Sequence, residues 1–230
     1  MKMNKKPQVS QTYDEMYALQ GDEGAYTLPY QHSCYFPLYK QVRKALEEYD
    51  ARQILEVGCG TGGLAHYLFD TTEIEYNGFD FSPIAVEKAM LRTKHPELFY
   101  VGDATNSESY KHGYDAIICT EVLEHVEADM EIIQNWKQGS LCICSVPNFD
   151  STYHVRHFAS KEEVFSRYSK LLDIRAIHTL KKPVLVNISI TNKLKHIRWS
   201  RYRPLRFLEL MGLGNFNKVG GWFVFSGYKK

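Results

Sequence analysis

The segment Thr120-Glu121-Val-Leu-Glu124-His125 carries two carboxylates and an imidazole close together. It follows an apolar run over 115–120 that predicts a buried strand. If a helix begins here, offsets of three and four residues put Glu121, Glu124 and His125 on or near one face. Oxygen and nitrogen ligands of this mixture suit a divalent ion such as Mg²⁺, Mn²⁺ or Zn²⁺, so the spacing predicts a metal site.

Two more histidines follow the next predicted strand. His154 and His157 lie in a segment that the topology of a parallel sheet returns to the same edge. We expect one of them, His154 in the first instance, to complete the metal site. Without a metal, His125, His154 or His157 could act as a general base, since imidazole titrates near neutral pH. Arg156 could hold an acidic group of a ligand, although a surface ion pair is the commoner fate of an arginine.

A glycine-rich turn follows the first predicted strand, over 53–57. Gly58, Gly60 and Gly63 fit the dinucleotide pattern G-x-G-x-x-G, in which glycines permit a tight turn, close approach of a ligand and helix packing. This pattern indicates a nucleotide cofactor and leaves its identity open.

Acidic residues accompany the turn in register. Glu56 stands two residues before the first glycine, Asp80 closes the second predicted strand, and Asp103 follows the third. A carboxylate beyond the second strand can accept hydrogen bonds from both ribose hydroxyls, whereas it would repel a phosphate. The alternative is that Asp80 and Asp103 are loop acids that cap the next helix, for which Phe81-Ser82-Pro83 is a plausible start.

The run Glu56-Val-Gly58-Cys-Gly60-Thr-Gly62, with the later acids, resembles the class I S-adenosylmethionine-dependent methyltransferases, whose first motif reads E-x-G-x-G-x-G. The resemblance implies an enzyme that transfers a methyl group from S-adenosylmethionine. It also implies the fold class: α/β, with a Rossmann-like seven-stranded mostly parallel sheet, helices on both faces and an antiparallel last strand.

The same resemblance implies a role for each position of the cofactor site. The methionine part of the cofactor would lie near Glu56, Gly58 and Gly60, the ribose hydroxyls on Asp80, and the adenine amino group on Asp103. The full set of expected cofactor-binding residues is Glu56, Gly58, Cys59, Gly60, Gly62, Asp80, Phe81, Asp103, Ala104 and Glu121.

The E-x-x-E-H element resembles two methyltransferase branches, the ubiquinone-pathway O-methyltransferases and the small-RNA 3′-terminal 2′-O-methyltransferases. In both, the corresponding residues hold a metal that gathers substrate oxygens, which here implies Glu121, Glu124, His125 and His154 as ligands. The chain lacks the fuller H-x-x-H-x-F-E-W run of the RNA enzymes. In the alternative interpretation, Glu121 lines the cofactor pocket, Glu124 caps the helix and His125 packs beneath the sheet.

Short apolar runs alternate with amphipathic stretches, which predicts βαβ units. The predicted strands are 53–57, 75–80, 98–101, 115–120, 140–146, 172–180 and 222–228. The predicted helices are 36–49, 62–70, 83–93, 125–137 and 161–169. We expect a single domain over 1–230, comprising an N-terminal lid and helix (1–49), a cofactor-binding core (50–160) and a C-terminal part (161–230) with a basic insertion (181–220).

Composition narrows the class of protein. The 28 Lys and Arg residues nearly balance the 27 Asp and Glu residues, so no field of the whole molecule favours nucleic acid or acidic lipid. No run of 18 apolar residues and no signal peptide is found, and five cysteines suit reduced thiols, so we expect a cytoplasmic protein without a membrane span. Cys142 and Cys144 could form a metal pair, but core packing is favoured.

Two segments are rich in aromatic residues. The N-terminal one is expected to form a lid over the cofactor or to pack on the sheet edge. The basic stretch within 181–220 could stack on bases or lie on a membrane surface, and a solvated insertion over the substrate cleft is favoured.

The expected reaction is O-methylation of a small molecule. The less favoured alternative is an RNA methyltransferase that binds its substrate through the basic 181–206 stretch, and another is a non-catalytic regulatory subunit that binds S-adenosylmethionine. The sequence does not indicate an oligomeric state.

Overall fold

The computed structural model describes residue 14, residues 28–181, residues 194 and 198, and residues 220–230. Within these ranges, seven strands form one sheet: β1 Gln53–Val57, β2 Glu75–Asp80, β3 Phe99–Val101, β4 Ala116–Thr120, β5 Leu141–Pro147, β6 Leu172–Lys181 and β7 Gly221–Lys229. Their order is β3-β2-β1-β4-β5-β7-β6. Strand β7 is antiparallel to both of its neighbours, whereas the other neighbouring pairs are parallel. The predicted fold class is confirmed.

In the described ranges 28–181 and 220–230, five α-helices cover the two faces of the sheet: α1 Phe36–Glu48, α2 Gly63–Thr71, α3 Pro83–Thr93, α4 Asp129–Gln134 and α5 Lys161–Tyr168. Short 3₁₀ turns occur at Tyr30–His32, Pro96–Leu98 and Ser107–Tyr110. Side chains alternate along the strands, so Ile54 packs with α1, α2 and α3, while Leu55 packs with α4 and α5. Burying both faces explains why the central strands read as continuous apolar runs.

The parallel register brings four strand ends to one edge of the sheet. Val57 pairs with Phe79 on one side and with Cys119 on the other, and Thr120 pairs with Ser145. The loops after β1, β2, β4 and β5 therefore begin side by side. Trp222, at the start of β7, lies opposite Pro147 and joins the same edge from the antiparallel direction.

The prediction of a helix over 125–137 is wrong, because the helix α4 spans only Asp129–Gln134. Residues 121–128 form turns instead. Backbone carbonyls that a helix would use are occupied: the oxygen of Glu124 accepts from the backbone N–H of Val155, at 2.8 Å, and of Arg156, at 3.3 Å. The Arg156 guanidinium donates to the carbonyls of Leu123, Val126 and Glu127. Arg156 therefore fixes this loop.

Several sequence expectations fall outside the described residues. They include most of the N-terminal lid and nearly all of the basic insertion 181–220. In the described part of the chain, no helix has the length and apolar character needed to cross a membrane. Cys142 and Cys144 are buried in the core, as the packing interpretation predicts.

Candidate functional site

The turn after β1 is held against β2 by its own backbone. The N–H groups of Gly58 and Cys59 both donate to the carbonyl of Phe79, at 2.8 and 3.0 Å. Gly58 has φ +70°, and a Cβ there would lie 2.3 Å from Cγ2 of Val122, so glycine is required for both conformation and space. Cys59, which follows it, is buried. The turn therefore exposes backbone rather than side chains to the edge of the sheet.

Asp80 ties together the loops that follow β1 and β2. Its Oδ2 accepts from the Gly60 N–H and its Oδ1 from the Ser82 N–H, both at 2.9 Å. Burial raises the pKa of Asp80 to about 6, while these backbone donors act in the opposite direction. Asp80 does not cap α3, because the cap is Ser82, whose Oγ accepts from the Ala85 N–H at 3.1 Å.

The Ser82 hydroxyl also connects to the N-terminal segment. It donates to the carboxylate of Asp14, and the charge of Asp14 contributes to the raised pKa of Asp80. Phe81, between the two residues, is half-buried. Asp14 therefore contacts the loop that follows β2.

Asp103 lies beside Asp80, since the Gly102 N–H donates to the Asp80 carbonyl at 2.9 Å. Its Oδ1 accepts from both the N–H and the hydroxyl of Thr105, at 2.8 Å each, so the side chain closes a turn rather than capping a helix. The carbonyl of Ala104 accepts from the Tyr110 hydroxyl at 2.7 Å. Asp103 is exposed and lies outside the main cavity.

Glu56 is a buried acid beneath the glycine turn. Its Oε2 accepts from the Tyr76 hydroxyl at 2.5 Å. Burial raises the pKa of Glu56 to about 7, against the lowering effect of the Tyr76 hydrogen bond, and the charge of Asp80 adds to the rise. Glu56 lines the main cavity.

The main cavity, of about 280 Å³, runs from the glycine turn to the loops after β4 and β5. Among its lining residues are the predicted site residues Glu56, Gly58, Cys59, Gly60, Glu121, His125 and His154. Sequence reasoning assigned no role in the site to several other lining residues: Tyr39, Arg92, Phe149 and Tyr153. Their positions depend on tertiary packing, and no local motif indicates them.

Glu121 begins the loop after β4 in a left-handed conformation, with φ +58°. Its N–H donates to the Ser145 hydroxyl at 3.1 Å, and that hydroxyl donates to Glu121 Oε1 at 3.0 Å. Oε2 accepts from the Trp222 indole N–H at 2.6 Å. Two strands therefore orient the Glu121 carboxylate, and neither partner is part of a recognisable motif.

Glu124, His125 and His154 form a compact cluster, although the expected helix is absent. One potential ligand atom from each lies within 4.8 Å of the others. Glu124 is fully buried, and neither of its carboxylate oxygens has a hydrogen-bond partner in the described part of the chain. Burial, and then the charge of Glu121, raises the pKa of Glu124 well above its usual range.

The two imidazoles of the cluster are anchored in the same way. His125 Nδ1 lies 3.0 Å from the Tyr153 carbonyl, and His154 Nδ1 lies 3.1 Å from the Phe149 carbonyl. A carbonyl can only accept, so each Nδ1 carries a proton, and a ring that is neutral then has its lone pair on Nε2. Burial lowers the pKa of His125 to about 4, which keeps this ring neutral.

Two of the residues proposed from the sequence lie apart from the cluster. Glu121 is not among its ligand atoms within the described residues, since it is engaged with Ser145 and Trp222. His157 is half-exposed, with Nδ1 3.9 Å from Asp150 Oδ1, and it lines a separate surface cavity with Arg156 and Arg167. Of the two later histidines, His154 is the one brought to the site.

The known proteins that are similar in sequence to this chain carry different named functions, as three of them illustrate. The first is phosphoethanolamine N-methyltransferase 1 of Triticum aestivum, 28% identical over 44% of this chain and 21% of that protein. The small RNA 2′-O-methyltransferase of Arabidopsis thaliana is 30% identical over 50% and 14%, respectively. The ubiquinone biosynthesis O-methyltransferase of Yersinia enterocolitica is 29% identical over 36% of each. The matches thus span about a third or less of these relatives.

Solved structures extend the likeness over nearly the whole fold. The [4+2]-cyclase SpnF has a TM-score of 0.64, with 16% identity over 97% of both chains. The N-methyltransferase NodS of Bradyrhizobium japonicum, in complex with S-adenosyl-L-homocysteine, has a TM-score of 0.59, with 16% identity over 95% of this chain and 98% of its own. At this identity the likeness concerns the fold, and a cyclase among the neighbours illustrates that fold does not fix the reaction.

A family model described as a methyltransferase domain matches residues 49–199, which is more than half of the chain. The matched range contains β1 to β6 with the glycine turn, Asp80 and the loops after β4 and β5. The chain therefore belongs to the methyltransferase domain family, as a class I methyltransferase of the kind that uses S-adenosylmethionine.

Proposed function

We propose that the chain transfers the methyl group of S-adenosylmethionine to a hydroxyl oxygen of a small molecule, assisted by a divalent cation at Glu124, His125 and His154. The observation that carries the proposal is the Glu124 carboxylate, which is buried without a hydrogen-bond partner in the described part of the chain. Relatives named as O-methyltransferases support the reaction class.

On the cofactor side, the proposal uses the loops after the first three strands. Each oxygen of Asp80 accepts one backbone N–H and retains a second lone-pair site, so the carboxylate can also accept ribose hydroxyls. Asp103, next to Asp80, would serve the adenine end. Glu56 would serve the methionine end, where its carboxylate suits an α-ammonium group.

The residues of the cluster fit a divalent cation. A buried carboxylate without a partner is unfavourable, and a cation would supply what it lacks. Histidines that bind metals usually donate their other ring N–H to a carbonyl or carboxylate, as His125 and His154 do here. Two imidazoles with one carboxylate suit Mn²⁺ or Zn²⁺ better than Mg²⁺, which prefers oxygen ligands.

When bound, the cofactor supplies an electrophilic methyl group, and the cation supplies a positive charge that lowers the pKa of a hydroxyl. The chain itself holds the acceptor in line with the methyl group and excludes water. The rings of Tyr35, Phe149 and Tyr153 line the cavity and suit a planar acceptor such as a phenol. Without a cation, Nε2 of His154 or His125 would accept the hydroxyl proton.

A second candidate acceptor is the 3′ end of a small RNA. Several relatives are named small RNA 2′-O-methyltransferases, and residues 181–206 contain eight Lys or Arg and no Asp or Glu. A ribose with neighbouring hydroxyls offers the same oxygen chemistry as a catechol. Binding to phosphates through this stretch would fall steeply as salt rises, whereas binding of a neutral phenol would not.

The test is a methyl-transfer assay that follows S-adenosylhomocysteine formation. The purified chain is offered a catechol or a short RNA, each with Mn²⁺, Zn²⁺, Mg²⁺ or EDTA. We expect turnover of the catechol that is lost in EDTA and restored by Mn²⁺ or Zn²⁺. In Glu124→Gln, adding Mn²⁺ or Zn²⁺ should no longer restore turnover. Glu127→Gln, which changes an exposed acid on the same loop, should still respond to the ion.

Three results would change the proposal in different ways. Turnover of RNA alone, with steep salt dependence, would replace the small-molecule acceptor. Turnover that EDTA leaves intact would remove the cation and favour a histidine base. Binding of S-adenosylhomocysteine without turnover of either acceptor would favour a regulatory subunit that binds the cofactor.

A further inference from the structure

We infer that Arg92 and Tyr39 hold the α-carboxylate of the cofactor's amino acid part, while Glu56 holds its α-ammonium group. The inference rests on the proposed function, because it requires S-adenosylmethionine as the ligand. It adds an anion-binding pair beside the backbone of the glycine turn and the acidic side chain of Glu56.

The geometry brings the two groups together at the first residue of α2. Arg92 lies in the last turn of α3, and Tyr39 lies in the first turns of α1. A Cβ built on Gly63 would lie 2.6 Å from the Tyr39 hydroxyl and 3.2 Å from Nη1 of Arg92. Three different helices therefore converge where these two donors meet.

Both donors open onto the main cavity beside the glycine turn. Arg92, Tyr39 and Glu56 line it together with Gly58 and Gly60. Tyr39 and Arg92 meet at Gly63, the first residue of α2, and Glu56 lies two residues before Gly58, so the three side chains border the same glycine-rich turn.

The charges match those of a free amino acid. Among the described residues that line the cavity, Arg92 carries the one Lys or Arg side chain. A guanidinium binds a carboxylate through two parallel N–H donors, and the Tyr39 hydroxyl can add a third. Glu56 supplies the opposite charge for the ammonium group. Because Arg92 is half-buried, its interaction with a carboxylate is screened less than on the surface.

Three ligands separate this role from a packing role for Arg92. S-adenosylhomocysteine has both charged groups, its decarboxylated analogue has the amine alone, and 5′-methylthioadenosine has neither. Their dissociation constants are measured by calorimetry for the full chain and for Arg92→Met, Arg92→Lys and Tyr39→Phe. Arg175→Met, an exposed arginine on β6, is the matched control.

We expect Arg92→Met to weaken S-adenosylhomocysteine binding about ten- to one-hundredfold and to leave 5′-methylthioadenosine and the decarboxylated analogue within about twofold. Arg92→Lys should recover part of the loss, and Tyr39→Phe, which removes one hydroxyl, should reproduce a smaller loss even if Arg92→Met does not fold. Arg175→Met should bind as the unmodified chain does.

Equal weakening of all three ligands, or no weakening of any, would overturn the inference while leaving the methyltransferase proposal intact. If the unmodified chain binds none of the three ligands, the proposed function itself fails. The two failures are thus distinguishable in one set of titrations.

Discussion

The fold treats two buried carboxylates, Asp80 and Glu124, in opposite ways. Asp80, on the cofactor side, is 5% exposed and has both oxygens bonded to backbone N–H groups. Glu124, on the acceptor side, is 0% exposed and has no hydrogen-bond partner in the described residues. The first carboxylate has a backbone donor on each oxygen, whereas the second lacks such donors among the described residues and has the charge of Arg156 in favour of its ionised form. The difference teaches that the chain alone orients the first carboxylate, whereas in our proposal a cation would supply the partner that the second one lacks.

The largest expected effect comes from removing the Asp80 carboxylate. Asp80→Ala should weaken S-adenosylhomocysteine binding at least about one-hundredfold, because it removes the acceptor for two ribose hydroxyls and releases the Gly60 and Ser82 N–H groups. Calorimetry measures the loss. Asp173→Ala, a surface acid on β6, is the control. A loss of less than about threefold would mean that ribose binds elsewhere.

Removing the Glu124 carboxylate should stabilise the folded chain when no metal is bound. Glu124→Leu removes a buried polar group without a partner, so the metal-free chain should gain about 1–3 kcal/mol of unfolding free energy. The same variant should lose the ion-dependent stabilisation, which for the unmodified chain is about 3 kcal/mol at a hundredfold excess over the dissociation constant.

Thermal unfolding in EDTA and in excess Mn²⁺ or Zn²⁺ measures both parts of this prediction. Glu127→Leu serves as the exposed control on the same loop. Destabilisation of the metal-free Glu124→Leu chain would show that the carboxylate already has a stabilising role, and the contrast between the two sides of the cavity would then fail.

Glu56 provides a pH test on the cofactor side. Its pKa is about 7 in the folded chain, because of burial, and near 4.5 in the unfolded chain. Between these values the folded state binds the extra proton, so raising the pH lowers the unfolding free energy by about 1 kcal/mol per unit. The loss is complete above pH 7. Asp80, with a pKa of about 6, adds a smaller loss of the same sign over a narrower range.

Glu56→Gln should flatten this part of the profile, and Glu75→Gln, an exposed acid on β2, should not. Urea unfolding at several values between pH 5 and pH 8 measures the slopes. Cofactor affinity should change in the opposite direction, rising toward pH 7 as Glu56 ionises to meet an ammonium group. Unchanged slopes in Glu56→Gln would assign the pH dependence to other groups.

Sequence separation explains why one side of the cavity was predictable and the other was not. The partners of Asp80 lie 2 and 20 residues away, within two adjacent βα units whose pattern is local. The strand and helix bounds around them follow from hydrophobic period and from the Ser82-Pro83 start of α3.

The loop after β4 depends on distant residues instead. Its carbonyls are taken by Arg156, about 30 residues later, and His125 is anchored by Tyr153. Local spacing therefore predicted a helix that the structure lacks, yet Glu124 and His125 still meet His154 because the segment 153–156 holds the loop. The residue types predicted that Glu124, His125 and a later histidine lie together, as they do, but they also predicted Glu121, which is not in this group among the described residues, and the assumed helical geometry was wrong.

The smallest expected effect comes from removing the hydrogen bond between Trp222 and Glu121, which lie far apart in the sequence. Trp222 donates to Glu121 Oε2 across 101 residues of sequence, and Glu121 itself is strained at φ +58°. Trp222→Phe keeps an aromatic ring against Tyr35 but removes the donor. Since Glu121 is partly exposed and retains its bond to Ser145, we expect a loss of about 1 kcal/mol in unfolding free energy. Urea unfolding measures it, with Phe223→Leu on the opposite face as a packing control.

If Glu121 positions the acceptor, kcat for methyl transfer should fall more than cofactor affinity does, because the Trp222 indole holds the Glu121 carboxylate. If the variant loses stability but keeps kcat, the Trp222–Glu121 hydrogen bond only stabilises the edge of the sheet. Positioning of the acceptor would then depend on the cluster of Glu124, His125 and His154.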